Sequence, residues 1–169
     1  MPYQFLPVSL LPVALPVGAR YTYRVLRGHF IKDWMSVNII CLSPMATVLE
    51  ALFLMRQHRI RCLPVTTGTR LLGIITEGNL RNPIKTLQEL ESEKMYKTEG
   101  DIRVRDIMST KLLTITPQDH IVTAAHILAK HKIGGLPVIE KKGSEHIIGV
   151  VTTTDLLRAF VELADVTNY

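Results

Sequence analysis

The sequence predicts an α/β (α+β) domain made of two copies of one strand-helix-strand-strand-helix unit, packed about a pseudo-twofold axis. Four observations lead there. Ile31 to Val65 aligns without a gap on Val104 to Val138 at a constant separation of 73 residues, with Asp33/Asp106, Met35/Met108, Ser36/Ser109, Pro44/Pro117, His58/His131, Leu63/Leu136, Pro64/Pro137 and Val65/Val138 among the identical pairs. The copies then differ in length only across a polar, glycine-containing turn, 66–70 in the first and 139–146 in the second, which marks a duplicated structural unit. Apolar residues at 48, 51, 52, 55 and at 121, 124, 125, 128 keep the i, i+3, i+4, i+7 spacing of one helix face. Finally, the nearly unbroken apolar runs 71–75 and 147–151, each containing one glycine, read as strands covered on both sides.

Taken in order, residues 1–27 form an apolar, proline-rich arm in which Leu-Pro-Val occurs three times and no charge precedes Arg20. Prolines at 2, 7, 12 and 16 oppose a spanning helix, and no basic segment precedes the apolar stretch, so an extended arm is expected, not a signal peptide or membrane anchor. Repeat 1 occupies 28–83. It opens with a β-rich run, Ile39 to Leu42, and a Pro-containing turn. Its first helix carries the capping box Thr47-x-x-Glu50. Leu-Pro-Val, a polar turn, the apolar strand and a helix cut short by Asn82-Pro83 complete the copy. A charged linker, 84–101, has Leu87, Leu90 and Met95 at helical spacing. Repeat 2, 102–163, has the β-rich run Leu112 to Ile115, a first helix capped from Asp119, and a last helix from about Asp155 to Leu163; residues 164–169 are a tail. Units of this size are marginal alone, so the two copies should share one fold.

The chain has 169 residues, is 47% hydrophobic and carries a net charge of +5. That excess suits anionic partners, but without a long basic run it argues for phosphorylated small molecules as readily as for nucleic acid. Cys41 and Cys62 fall in no Cys-x-x-Cys spacing and face Thr114 and Gly135 in the other copy, which reads as a pair of buried, reduced thiols in the cytoplasm. His58 and His131 sit near the ends of equivalent helices, where a cation favours the dipole. No metal-ligand spacing, nucleophile-base pair, P-loop or paired carboxylate is recognisable, so neither catalysis nor a metal is expected.

One segment carries chemistry. Thr152-Thr153-Thr154-Asp155 leaves a buried strand and opens a helix. Two readings fit: a capping box, with Asp155 reaching back to Thr152, or a nucleotide site, with a carboxylate accepting both ribose hydroxyls beside helix N–H groups open to phosphate.

The doubled Asp-x-Met-Ser, Ser/Thr-Pro, Leu-Pro-Val and Gly-h-h-Thr-x-x-(Asp/Asn) series, with h apolar, resembles the CBS domain, named from cystathionine β-synthase, over about residues 30 to 160. The end of the chain is similar to small stand-alone CBS pairs of the acetoin-utilisation type. The resemblance implies a non-catalytic sensor that holds an adenine-containing ligand between its repeats: AMP, ADP or ATP, or else NAD or S-adenosylmethionine, with no cofactor required. Asp155 would hold the ribose and Thr152 the ribose or phosphate. Val37, Ile60 and Arg61 of the partner copy would wall the adenine, with Gly134 and Val150 beside the sugar and phosphates. At the pseudo-symmetric site Asn79 replaces the carboxylate, which implies weaker binding there, although Thr76, Thr110 and Ile133 keep its outline. The family also implies a homodimer formed through helices 48–57 and 155–163, and signalling to a separate effector protein. The rival expectations are a dimeric interaction module with vestigial clefts and a nucleic-acid binder.

Overall fold

A computed structural model describes residues 29–81 and 102–165. The arm at 1–27, the linker at 84–101, the Asn82-Pro83 break and most of the tail lie outside the described residues.

Repeat 1 comprises a 3₁₀ turn (Ile31–Asp33), α1 (Val48–His58), β1 (Cys62–Thr67), β2 (Arg70–Thr76) and a short helix α2 (77–81). Repeat 2 comprises a helical turn α3 (Val104–Ile107), α4 (Ile121–His131), β3 (Gly135–Ile139), β4 (Ile147–Thr152) and α5 (Thr153–Asp165). α1 begins as expected: Thr47 Oγ1 accepts from Glu50 N–H and the Glu50 carboxylate accepts from Thr47 N–H. α4 does not. Its N-cap is His120, without a side-chain cap, because the Asp119 carboxylate is taken by the N–H and hydroxyl of Thr116 one turn earlier. Both helices end on a left-handed residue, Arg59 and Lys132, each at φ 53°. Val48, Ala51 and Met55 bury the face of α1, and Ile121, Ala124 and Leu128 that of α4. Ala125, expected on the buried face, is exposed.

β1 pairs antiparallel with β2, and β3 with β4. The expected opening strands at Ile39–Leu42 and Leu112–Ile115 shrink to single parallel bridges, Leu42 with Val65 and Ile115 with Val138. Prolines explain this. Leu42 N–H donates to Pro64 C=O and Thr66 N–H donates to Leu42 C=O; extending that ladder in either direction would need an N–H from Pro64 or from Pro44, which neither has. Pro137 and Pro117 stop the second copy in the same way.

Pro64 also faces Ile74 across β1 and β2, and Pro137 faces Val150 across β3 and β4. The backbone groups of Ile74 and Val150 therefore turn outward, toward the other repeat. Ile74 exchanges two hydrogen bonds with Ser109 (3.0 and 2.9 Å), and Val150 two with Ser36 (3.0 and 2.9 Å). Just before each serine, the turn is capped by its aspartate: Asp33 accepts from Phe30 N–H and Asp106 from Arg103 N–H. Met35 and Met108 then lie over the strand glycines of the other copy. A Cβ on Gly73 would stand 2.5 Å from Met108 Sδ, and one on Gly149 2.9 Å from Met35 Sδ.

The cores follow this exchange. Ile31, from repeat 1, is fully buried among Ile115, Leu136, Val138 and Val151 of repeat 2. Val104, from repeat 2, is fully buried among Val48, Leu63, Val65 and Ile75 of repeat 1. A smaller cluster of Leu71, Ile139 and Ile147 joins the two hairpins, beside an Arg70–Glu145 ion pair at 2.6 Å. The strands at 71–75 and 147–151 alternate buried and half-buried residues instead of being buried throughout, because their second face looks onto the space between the repeats.

Two outcomes follow from this exchange. A fragment of residues 28–83 lacks the Val104 turn of its own core, so its denaturant titration should show no cooperative transition. Gly73→Ala and Gly149→Ala should each destabilise the full chain by about 1–3 kcal/mol through overpacking against methionine and backbone. Gly134→Ala, with no atom within 4 Å of the new Cβ, should stay within about 0.5 kcal/mol of the parent in the same urea titration.

Candidate functional site

The space between the repeats is one continuous cleft of about 870 Å³. Its two ends are built alike. At one end β4 runs into α5, where Asp155 is buried at 6% exposure. Its Oδ2 accepts from Thr152 N–H at 2.8 Å and from the Thr152 hydroxyl at 2.7 Å, while Thr152 Oγ1 faces Asp155 N–H at 3.4 Å. Its Oδ1 lies 3.9 Å from Arg158, whose guanidinium is largely in solvent. One carboxylate oxygen thus caps the helix, and the other keeps its lone pairs.

At the other end β2 runs into α2. Asn79 Oδ1 accepts from Thr76 N–H at 2.9 Å and from the Thr76 hydroxyl at 2.7 Å. This repeats the Asp155 cap with the amide's one oxygen, leaving no second acceptor. The remaining group, Nδ2, donates to Ser109 Oγ at 3.3 Å. The two ends are also tied to the strand entries alike: Thr153 N–H donates to Gly134 C=O, and Glu77 N–H to Arg61 C=O.

Nine of the residues singled out in the sequence line this cleft: Asp155, Thr152, Ile60, Arg61, Gly134 and Val150, with Asn79, Thr76 and Ile133. Val37 and Thr110 do not. Val37 is 62% exposed and Thr110 is also exposed, whereas their neighbours Ser36 and Asn38, and Ser109 and Lys111, line the cleft. In an extended segment side chains alternate, and the cross-repeat bridges at Ser36 and Ser109 set which parity faces inward.

Arg59, Lys111 and Lys132 are lining residues that the sequence reading missed. A signal existed for two of them: a long cationic side chain in the left-handed position that usually closes a helix with glycine. With Arg61 they give the cleft four cations, against the carboxylates of Glu77 and Asp155. Cys62 also lines it, and burial pushes its thiol up, with Arg61 opposing and Asp155 adding to the shift. Burial likewise raises Cys41, offset in part by a hydrogen bond with Thr66. Both cysteines are half-buried and unpaired, not fully buried as expected. Among the described residues no three His, Cys, Asp or Glu side chains gather as a metal site, and no helix is long and apolar enough to cross a membrane.

Known proteins share this plan. The family profile of the CBS domain matches twice, over residues 31–85 and 104–162. The CBS domain-containing protein YhcV of Bacillus subtilis is 28% identical over 126 residues, which cover 75% of this chain and 81% of YhcV. Inosine-5'-monophosphate dehydrogenase of Korarchaeum cryptofilum is 34% identical over 119 residues, or 70% of this chain, yet the chain spans only 22% of that enzyme. Among solved structures, CBSX2 in complex with AMP superposes with a TM-score of 0.66 at 26% identity, covering 81% of this chain and 99% of that one. The putative acetoin utilization protein AcuB of Vibrio cholerae gives a TM-score of 0.65 at 24% identity, over 82% and 94% of the two chains. With two profile matches set 73 residues apart on a reciprocally bridged pair of hairpins, the chain belongs to the CBS-domain family, as a tandem CBS pair.

Proposed function

We propose that this chain is a non-catalytic, cytoplasmic sensor whose cleft binds an adenine nucleotide and whose occupancy is read by a separate protein. The observation that carries the reading is the divided carboxylate of Asp155, a residue lining a cation-bearing cleft: one oxygen holds the helix cap and the other takes no part in it. A ribose presents two adjacent hydroxyl donors, and a buried carboxylate oxygen with unused lone pairs is a strong acceptor for them. Ile60 and Ile133 offer apolar walls for a base, and the cations favour phosphate. The AMP complex of CBSX2, a structural relative at 26% identity, supports the ligand class.

The substitution that tests this is Asp155→Asn, because the amide oxygen retains the cap while the free acceptor becomes a donor. Losing a charge-assisted hydrogen bond costs about 1.5–3 kcal/mol, so AMP affinity should fall about 10- to 150-fold. Titration calorimetry of AMP into the parent and the variant measures it. Unchanged affinity in a variant with the parent melting temperature would exclude the ribose role.

A second feature supports self-association. Leu157, Phe160 and Val161 lie exposed on one face of α5, and Leu49 and Phe53 on α1 beside an apolar groove that includes Leu42, Ala46 and Leu54. Leu49 and Phe53 of α1, like Leu157 and Val161 of α5, stand one helical turn apart, so each helix offers a continuous apolar strip. The Phe53→Asp/Phe160→Asp double variant should sediment as a monomer where the parent sediments as a dimer. A monomeric parent would remove homodimer formation from the proposed function.

A further inference from the structure

Among the lining positions at which the pseudosymmetry of the cleft breaks, three move the Asn79 half toward positive charge. Asn79 stands where the other repeat has Asp155, Arg61 where it has Gly134, and Lys111 where it has Asn38. One difference opposes them: Glu77 lines the cleft, where its counterpart is Thr153. The orientation of the amide is fixed by chemistry. Thr76 N–H can only donate, so the oxygen of Asn79 must face it and the NH₂ must point away, to Ser109. The groups left for a ligand are therefore amide N–H, a serine hydroxyl and two cations, with the exposed carboxylate of Glu77. A ribose diol finds no buried carboxylate oxygen in this set, only the Ser109 hydroxyl, whose oxygen already accepts the amide N–H. An anion finds donors.

We infer that the Asn79 half is a phosphate subsite and not a second nucleoside site. A single nucleotide places its ribose on Asp155 and extends its terminal phosphates to Asn79 Nδ2, Ser109, Arg61 and Lys111. This rests on the ribose reading of Asp155 and deepens it to a ligand class: adenine nucleotides with two or more phosphates, in preference to uncharged adenosine or to an adenosyl sulfonium cation. The continuity of the cleft is what allows one ligand to use both ends. Its volume of about 870 Å³ lies within the usual range for a site holding one such molecule.

The test is calorimetry on the full chain with adenosine, AMP, ATP and inorganic triphosphate, comparing the parent with Asn79→Asp and Lys111→Gln. One ATP should bind per chain, more tightly than AMP, and AMP more tightly than adenosine. Asn79→Asp retains the capping oxygen but sets a negative charge where an N–H stood. It should weaken ATP and triphosphate by about 10- to 150-fold while adenosine changes by less than about twofold. Lys111→Gln, which leaves the cap untouched, should shift the same ligands in the same direction by about 3- to 10-fold. Uptake of a second adenosine per chain by the parent would overturn the inference, as would equal losses for ATP and adenosine in both variants. The underlying ribose reading fails separately: adenosine would then bind Asp155→Asn as well as the parent, while the response of triphosphate to Asn79→Asp would still report on the phosphate subsite.

Discussion

The structure depends on a reciprocal exchange of backbone hydrogen bonds, Ser36 with Val150 and Ser109 with Ile74. Each pair joins the leading turn of one repeat to the last strand of the other, and each places a methionine over a glycine that has no room for a side chain. The turn then delivers an aliphatic residue, Ile31 or Val104, into a core to which its own repeat contributes little else. Burying one such residue contributes about 1.5–3 kcal/mol, a large share of the stability available to a unit of this size. Neither core is complete without the other copy. The relative placement of the hairpins, and with it the width of the cleft, is therefore set by the same contacts that make the protein fold.

The prolines of Leu-Pro-Val bring this about. A proline in a strand leaves its neighbours to find other partners. Here Pro64 and Pro137 limit the parallel bridge on one side and sit opposite Ile74 and Val150 on the other, whose N–H and C=O groups face outward. The other repeat supplies the partners. A motif that looks in one dimension like an interrupted strand is the device that docks two repeats.

Much of this was legible in the sequence because duplication reports each structural demand twice. The constant separation, the helix faces and the Thr47–Glu50 cap were all readable from residue type and spacing. What escaped depended on contacts between the copies. Asp119 could cap α4 or close its own turn, and only the fold shows that Thr116 claims it. Val37 and Ser36 are adjacent in an extended segment, and which of them faces the cleft is decided by a bridge to Val150, far away in the chain. At Asp155 the capping and ligand readings seemed to compete because a sequence names a carboxylate but not its two oxygens. The geometry uses one for each purpose.

That division has a consequence for how binding can be communicated. Under the proposed reading a ligand held at Asp155 would act at the end of β4, and Val150, two residues before Thr152 on that strand, is hydrogen-bonded to Ser36 of the other repeat. A phosphate at Asn79 would touch Ser109, whose backbone is bonded to Ile74. Under the proposed reading, each end of one ligand thus addresses one of the two bridges on which the packing depends. A ligand can shift the arrangement of the repeats only by the difference in its affinity for two arrangements. A molecule engaging both bridges at once is the kind whose affinity depends most steeply on their separation. Adenosine alone, anchored at one bridge, would bind with little preference between arrangements and so transmit little. Arg59 and Lys132 add cationic side chains to the lining of the cleft from left-handed positions where glycine would relax the backbone.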